Sequence, residues 1–264
     1  MMKTADTEHW LNALRVSSER LHRVVDSLSE AELARPSFSR DWSIAQVLSH
    51  LGSAAEICTM LVQRGVAEDM RAPVREEILP IWERWDALPP SEQRAAWKDA
   101  DMRHLALVDS LGSDRQGAIE IPYFAGPLGT AAYAGYRLSE QSVHAWDIVV
   151  ALDPASVIPA DEVGLLWERI DLVASRFRDG DTLGRLGPAQ VALQLTDRDR
   201  PQLLDLGAEL HIYPTEPAEP VAVLTGTTEA VLRLVYGRYR PGADALETEG
   251  RVGIEDLRAL FPGF

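Results

Sequence analysis

Apolar residues recur at intervals of three and four positions through most of the first 152 residues, the period of amphipathic helices. The spacing predicts a first long helix over residues 7–28 and a second that is capped by Asp41 or Ser43 and runs to Gly65. Several prolines then predict a loop with a short helix over residues 76–87. Further long helices are expected from a cap at Ser91 to residue 111, and over residues 130–152. The N-terminal part is therefore expected to be helical.

The pattern changes in the C-terminal third of the chain. A fifth helix is expected over residues 160–177, as a connection. The segments AQVALQLTD, AELHIYP and AVLTG are short, apolar and bounded by Pro, Gly or Asp, which predicts strands. TTEAVLRLVYG and IEDLRALFP have helical spacing. We therefore expect an α+β protein with an N-terminal helical bundle over residues 1–155 and a smaller C-terminal α+β domain over residues 156–264.

Composition excludes some partners and compartments. The 264 residues include 26 basic and 41 acidic side chains, a formal charge of −15, and no basic cluster, which argues against nucleic-acid binding. No apolar stretch approaches the ~20 residues of a membrane span. The N-terminus lacks the apolar core of a signal peptide, and the single cysteine, Cys58, precludes internal disulfides. We expect a cytoplasmic protein, monomeric and with no membrane partner.

Glu140 and His144 form the first chemical signal. Residues four apart on a helix lie on the same face, so both side chains can reach one ion. His50 lies in the middle of the second helix on an otherwise apolar face, where an unpaired imidazole is costly. Two histidines and one carboxylate suit zinc, and other divalent metals are possible. We therefore predict a metal site at His50, Glu140 and His144.

Three protein ligands leave a coordination position open, as in catalytic zinc sites. At that position a metal can lower the pKa of water or hold a thiol as the thiolate, and the spacing does not choose between the two. The alternative is that the spacing of Glu140 and His144 arises by chance and that His50 is a hydrogen-bonded core residue. The surrounding sequence bears on this choice.

Two segments around these residues resemble a known family. DWSIAQVLSHLGSAAE is similar to the second-helix signature of the DinB-like superfamily, with Trp42 eight residues before His50. RLSEQSVHAWDIVVALD resembles the fourth-helix signature of the mycothiol-dependent maleylpyruvate isomerase family, an E-x-x-x-H-x-W-D run that Glu140, His144, Trp146 and Asp147 match. A third segment, LTGTTEAVLRLVYGRY with a terminal EDLRALFP, resembles that family's C-terminal domain, in which a Leu-rich helix ends in a Gly-Arg pair, here Gly237 and Arg238.

The resemblance implies a fold and a chemistry. It implies a zinc-carrying four-helix bundle, a smaller α+β domain and an active site near the cleft between them. In the family, zinc binds the thiol of mycothiol, which adds to an activated double bond, permits cis–trans rotation and is expelled. The superfamily also contains thiol S-transferases. The expected function is isomerisation or conjugation of a small electrophile, with zinc and mycothiol as cofactor and cosubstrate.

Arg238 and Asp147 are the further candidate catalytic residues. The Arg238 guanidinium could bind a substrate carboxylate or stabilise an enolate, or it could simply interact with a helix C-terminus; Arg240 competes for either role. Asp147 follows His144 by three residues and could orient that ligand, or be an ordinary salt-bridging residue.

The remaining candidates are assigned simpler roles. Cys58 is expected to be a buried structural thiol, since it lies roughly 12 Å along the helix from His50. Trp42 and Trp146 are expected to pack in the core, and Tyr123 and Phe124 to line a pocket mouth. Surface or core roles are assigned to the other histidines, of which His22 and His104 remain possible site residues: His9, His22, His104 and His211.

Two other functions remain open. The same ligands could serve a thiol-independent metal-dependent hydrolase or lyase, because one scaffold can carry several chemistries. They could also stabilise a non-catalytic protein that binds small molecules, because metal binding can contribute folding free energy.

Overall fold

The structure is a computed structural model that describes residues 7–39, 41–112 and 117–263. The chain divides into two compact units, the first ending at Ile158 and the second beginning at Pro159. Helices dominate the first unit, and a five-stranded sheet with helices forms the second. The predicted α+β class is confirmed. Of the helices in the described ranges, none combines the length and the hydropathy needed to span a bilayer.

Four long helices build the first unit. They are α1 (Thr7–Asp26), α3 (Ile44–Val66), α5 (Pro90–Ser110) and α6 (Thr130–Leu152), with the short α2 (Glu30–Leu33) and α4 (Arg75–Asp86) between them. Helix α3 packs against α5 and α6, and α1 packs against α6. Their apolar faces meet in a core that includes Leu48, Leu51, Trp97 and Ile148. Burial of these faces stabilises the bundle that carries the predicted ligands.

The starts of two helices follow from their capping residues. Ser43, not Asp41, caps α3: its hydroxyl accepts from the Gln46 N–H, and the Gln46 side chain accepts from the Ser43 N–H. Helix α5 begins two residues earlier than a cap at Ser91 predicts, because Pro90 occupies its first position and Pro89 its N-cap. The prediction that Ser91 caps this helix is therefore wrong.

The Trp85 ring of α4 packs closely against the backbone of α3 at Gly52. A Cβ atom at Gly52 would lie 2.2 Å from the Trp85 ring, so only glycine lets α4 pack this closely on α3. The segment between α5 and α6 contains a small antiparallel hairpin of β1 (Glu120–Ile121) and β2 (Leu128–Gly129). The loop of this hairpin carries Tyr123 and Phe124.

The second unit combines helices with one mixed sheet. Its helices are α7 (Ala160–Trp167), α8 (Ile170–Arg176), α9 (Gly180–Leu186), α10 (Thr228–Val235) and α11 (Ile254–Leu260), and its strands are β3 (Ala189–Leu195), β4 (Gln202–Leu206), β5 (Leu210–Tyr213), β6 (Ala222–Gly226) and β7 (Glu247–Gly250). The strand order is β5-β4-β3-β6-β7, with β3 and β6 parallel and the other pairs antiparallel. On β3, Val191 pairs with Leu204 on one side and Ala222 on the other. Alternate residues of β3 are buried, as expected for a sheet with one packed face.

One prediction for this unit is wrong, and two of its strands were not predicted. The continuous helix expected over residues 160–177 is two helices, because Glu168 and Arg169 leave the helical ladder and Arg169 has a non-helical backbone. Strand β4 was not expected between the predicted strands. The edge strand β7 carries Glu247 and Glu249 and lacks the apolar alternation that predicts a strand.

Candidate metal centre

Two helices of the first unit bring the three predicted ligands together. Helix α3 supplies His50, and α6 supplies Glu140 and His144 one turn apart. One potential ligand atom from each residue lies within 4.8 Å of the others. The histidine rings are 4.6 Å apart between centroids. Residues 90 positions apart in sequence, His50 and Glu140, thus lie side by side.

The geometry and donor types fit a divalent metal ion. His50 Nε2 lies 3.2 Å from Glu140 Oε2, and His144 Nε2 lies 3.7 Å from the same oxygen. The two imidazoles and the carboxylate form the mixed nitrogen and oxygen set that zinc accepts, with a fourth position left for another ligand. The side chains of His50 and Glu140 are 31% and 27% exposed, so that position is reachable from solvent.

The protonation states of the buried ligands also suit a metal. Burial raises the pKa of Glu140, but its hydrogen bond with His50 and the nearby His144 lower the net value to about 2. Burial lowers the pKa of His144 below its ordinary value, although the hydrogen bond with Asp147 opposes that shift. Near neutral pH the site therefore presents an ionised carboxylate and a neutral imidazole, the forms that bind metals.

Asp147 holds the imidazole of His144 from its second nitrogen. Its Oδ2 lies 2.9 Å from His144 Nδ1, and its side chain is fully buried. The backbone of Asp147 is also tied, since its carbonyl accepts from the Phe38 N–H. With a proton on Nδ1, Nε2 keeps its lone pair toward Glu140 and His50. The orienting role of Asp147 stays a prediction, beside the alternative of an ordinary salt-bridging residue.

Trp42 contacts the candidate ligands as well as the core. Its ring centroid lies 5.1 Å from that of His50 and 6.2 Å from that of His144. Trp42 is half-buried and packs against the apolar core of the bundle. Trp146, by contrast, is buried, packs on Phe38 at 4.9 Å and donates from Nε1 to the Ser156 carbonyl. Trp146 is therefore a core residue, whereas Trp42 packs against both the core and the candidate ligands.

Arg238 and Arg240 lie in the second unit. Helix α10 is followed by Gly237, whose φ of +74° ends the helix in the left-handed region. The buried Arg238 donates from Nη1 to the Tyr236 carbonyl. Arg240 donates from Nε and Nη2 to Asp244. The competitor of Arg238 is therefore engaged in an ion pair within its own unit.

The other singled-out residues do not belong to the ligand group in the described part of the chain. Cys58 is buried, and burial raises the pKa of its thiol, in agreement with a structural role. His9 is exposed, and His211 lies between Asp171 and Glu209 in the second unit. His22 pairs with Asp101 at 3.0 Å, and His104 Nε2 lies 2.6 Å from the Tyr133 hydroxyl. Burial lowers the pKa of His104 to about 3, so this ring is neutral.

Tyr123 and Phe124, which were predicted to line a pocket mouth, differ in their surroundings. Tyr123 packs on Tyr136 at 5.2 Å and on Tyr133 at 6.3 Å between centroids, and both partners belong to the ligand helix α6. Phe124 is 51% exposed. Tyr123 thus lies over the turns of α6 that precede Glu140, whereas Phe124 faces solvent.

Sequence reasoning missed Arg137, a buried cation on α6. Its side chain is 1% exposed, and its Nε and Nη1 have no hydrogen-bond partner within the described residues. Arg137, Glu140 and His144 have the i, i+3, i+7 spacing of one helix face. That spacing was the available signal: an arginine in line with two ligands is expected to point into the same interior.

Comparison with known proteins gives a family match and a structural match. A family model described as "Mycothiol maleylpyruvate isomerase N-terminal domain" matches residues 14–149. A relative from Geobacillus thermodenitrificans (strain NG80-2), named "Putative metal-dependent hydrolase", is 27% identical over 109 residues, which are 41% of this chain and 53% of the relative. The chain therefore spans about half the length of that relative.

The structural match extends over both units. The crystal structure of the mycothiol-dependent maleylpyruvate isomerase matches with a TM-score of 0.67 and 17% identity, covering 95% of this chain and 98% of that chain. A structure of a histidine-to-alanine variant of that isomerase matches with a TM-score of 0.66 at the same identity and coverage. At this identity the likeness establishes the fold.

Proposed function

The chain belongs to the mycothiol maleylpyruvate isomerase N-terminal domain family, and from this premise we propose that it is a zinc-dependent enzyme. In this proposal it uses a low-molecular-weight thiol, mycothiol, to isomerise or conjugate a small electrophile. The partners are the thiol and the electrophile. Another divalent metal could take the place of zinc at the same ligands.

One observation carries the proposal: His50, Glu140 and His144 offer ligand atoms within 4.8 Å of one another, at a place that solvent can reach. A closed structural zinc site has four protein ligands, whereas three leave room for a reactant. A bound divalent cation supplies Lewis acidity that keeps a coordinated thiol in its nucleophilic thiolate form.

The residues of the chain prepare the site. The Glu140 carboxylate is ionised and lies between the two histidine Nε2 atoms. The Asp147 carboxylate accepts from His144 Nδ1 and fixes the orientation of that ring. We propose Asp147 as a positioning residue on this ground.

We also propose that Arg238 binds the electrophile or stabilises the enolate that forms from it. The support is its place after Gly237 in the segment that resembles the family's C-terminal motif, and the permanent charge of its guanidinium. Replacement of Arg238 by Gln should reduce kcat/KM without changing metal content. Unchanged kinetics in that variant would remove Arg238 from the mechanism.

The test of the proposal is a reaction panel. Zinc-loaded protein is incubated without oxygen with mycothiol and a set of unsaturated or leaving-group-bearing acids, and products are identified by mass spectrometry. We expect thiol adducts or isomerised acids only when both zinc and mycothiol are present, and none with Glu140→Gln. Conversion that is indifferent to mycothiol would overturn the thiol-dependent mechanism, whatever the metal content.

A second candidate function is metal-dependent hydrolysis, favoured by the name of the relative from Geobacillus thermodenitrificans. In that case the same ligands would lower the pKa of a water molecule to about 7. Hydrolysis of ester or amide substrates with a pH profile governed by a group near neutrality, and no effect of thiol, would support this alternative. Absence of hydrolysis, together with thiol-dependent turnover, would exclude it.

A further inference from the structure

We propose that Arg137 binds the carboxylate group of the small molecule that reacts at the metal centre. The assignment of this carboxylate to a reacting substrate rests on the proposed function; the anion-binding site itself does not. The site lies inside the helical unit, on the same face of α6 as Glu140 and His144.

The first support is a buried cation in which two guanidinium nitrogens lack partners. Arg137 is 1% exposed, and its Nε and Nη1 lack hydrogen-bond partners within the described residues. Buried arginines are ordinarily paired, because desolvating a charge without compensation is costly. A buried guanidinium with N–H groups that lack acceptors is expected to have a functional role. A bound carboxylate would supply the missing acceptors.

The Cys58 thiol, a weak hydrogen-bonding group, is a neighbour that hydrogen bonds with Arg137, and the nearby carboxylates have other partners. On α5, Asp101 Oδ2 accepts from the Ser18 hydroxyl and pairs with His22 Nε2. The carboxylate of Glu140 faces His50 and His144.

The neighbouring thiol and phenols are uncharged. Burial raises the pKa of the Cys58 thiol and of the hydroxyls of Tyr133 and Tyr123, so each keeps its proton near neutral pH. The positive charge of Arg137 is thus available to an incoming anion.

The distance from the ligands suits a small carboxylic acid. Three residues of helix separate Arg137 from Glu140, a rise of about 4.5 Å along α6. A molecule of a few carbons could place its carboxylate at Arg137 and its reacting carbon beside the metal position. Tyr123 covers this stretch of the helix through its contacts with Tyr133 and Tyr136.

Local charge is also needed because the whole chain is acidic. The formal charge of −15 repels anions at long range. Recognition of a carboxylate therefore requires a positive group within the site, and a guanidinium forms stronger hydrogen bonds to carboxylates than neutral donors do.

The test measures anion binding without thiol or turnover. Zinc-loaded wild type, Arg137→Met and Arg137→Lys are titrated calorimetrically with succinate and with its neutral analogue dimethyl succinate. An exposed arginine on α1 provides the matched control, Arg23→Met. We expect at least ten-fold weaker succinate binding by Arg137→Met, partial retention by Arg137→Lys, and wild-type binding by Arg23→Met. Dimethyl succinate should bind weakly to all four.

Thermal unfolding separates this role from a structural one. Because Nε and Nη1 of Arg137 have no partner within the described residues, Arg137→Met without ligand should melt at the same temperature as wild type or higher. Succinate should raise the Tm of wild type and not of Arg137→Met. Equal succinate affinity in wild type and Arg137→Met, or a clear loss of Tm in ligand-free Arg137→Met, would overturn the proposal. If wild type binds succinate as expected but shows no thiol-dependent turnover, the proposed function is refuted and the anion-binding site stands.

Discussion

At the scale of single residues, the His144–Asp147 pair links the core to the candidate metal site. Asp147 is fully buried, and its carboxylate lies 2.9 Å from His144 Nδ1. A carboxylate on the outer nitrogen of a ligating histidine fixes the tautomer and the ring orientation, and raises ligand basicity. Asp147 should therefore control metal affinity without touching the metal.

Replacing Asp147 by Asn should weaken zinc binding about 10- to 100-fold, the usual effect of losing such a partner. Competition with a chromophoric chelator measures the affinity. The exposed Asp99 on α5 offers a matched control, since Asp99→Asn removes the same charge from the same unit. Equal zinc affinity in Asp147→Asn and Asp99→Asn would show that Asp147 has no positioning role.

The ligand residues were predictable, but Arg137 was not. Glu140 and His144 have helical spacing, and Trp42 lies eight residues before His50, so sequence alone brings them to one site. An arginine on a helix is ordinarily solvent-exposed, and the spacing of Arg137 with Glu140 and His144 indicates a shared face but not the extent of its burial. Only the packing of α6 among α1, α3 and the hairpin shows that Arg137 is enclosed.

At the scale of elements, an ion-pair cluster joins α10 to the chain that follows it. Arg233 donates to both oxygens of Asp244, and Arg240 donates to Oδ1. The Asp244 side chain is 1% exposed and that of Arg233 is 3% exposed. Burial raises the pKa of Asp244, but the hydrogen bonds with the arginines outweigh it and lower the pKa below 3.8.

This shift gives a pH dependence of stability with a definite sign. A carboxyl whose pKa is depressed by folding stabilises the protein above its unfolded pKa, and that contribution is lost as the pH falls through the folded value. Asp244→Asn should cost about 1.5–3 kcal/mol at pH 7, since it removes the charged acceptor of Arg233 and Arg240 while Arg233 keeps its pair with Glu229. The cost should shrink as the pH falls below about 4.

Urea unfolding at several pH values measures this difference. The exposed Asp199 in the same unit supplies the control, and Asp199→Asn should change stability by less than about 0.5 kcal/mol at every pH. A cost for Asp244→Asn that is constant from pH 7 down to pH 3 would contradict the assigned ionisation.

Helices were easier to predict than strands for a physical reason. The long helices carry apolar stripes that repeat over five or six turns, so many residues indicate each helix independently. Strand β7 has four residues and lies at a sheet edge, where one β6 neighbour decides its conformation. The interruption between α7 and α8 at Arg169 likewise contains no glycine or proline that would predict it, and tertiary packing determines it.

At the scale of the whole molecule, the family match and the structural match cover different lengths. The family model spans residues 14–149, which lie in the first unit. The structural match covers 95% of the chain and so includes the second unit. The fold class could be predicted because helical spacing gives way near residue 187 to short apolar segments typical of strands. The pairing of the five strands required the structure, because local spacing does not determine which distant segments pair.

The central claim is that His50, Glu140 and His144 bind one divalent ion with a position open to a thiolate. Cobalt reports on both parts, because its visible absorption depends on coordination and a cobalt–thiolate bond adds an intense band in the near ultraviolet. Metal-free protein is titrated with Co²⁺ and then with mycothiol, beside His144→Ala as control. We expect saturable visible bands and, on addition of mycothiol, the charge-transfer band in wild type only. Wild-type spectra that match those of His144→Ala, before and after mycothiol, would contradict it.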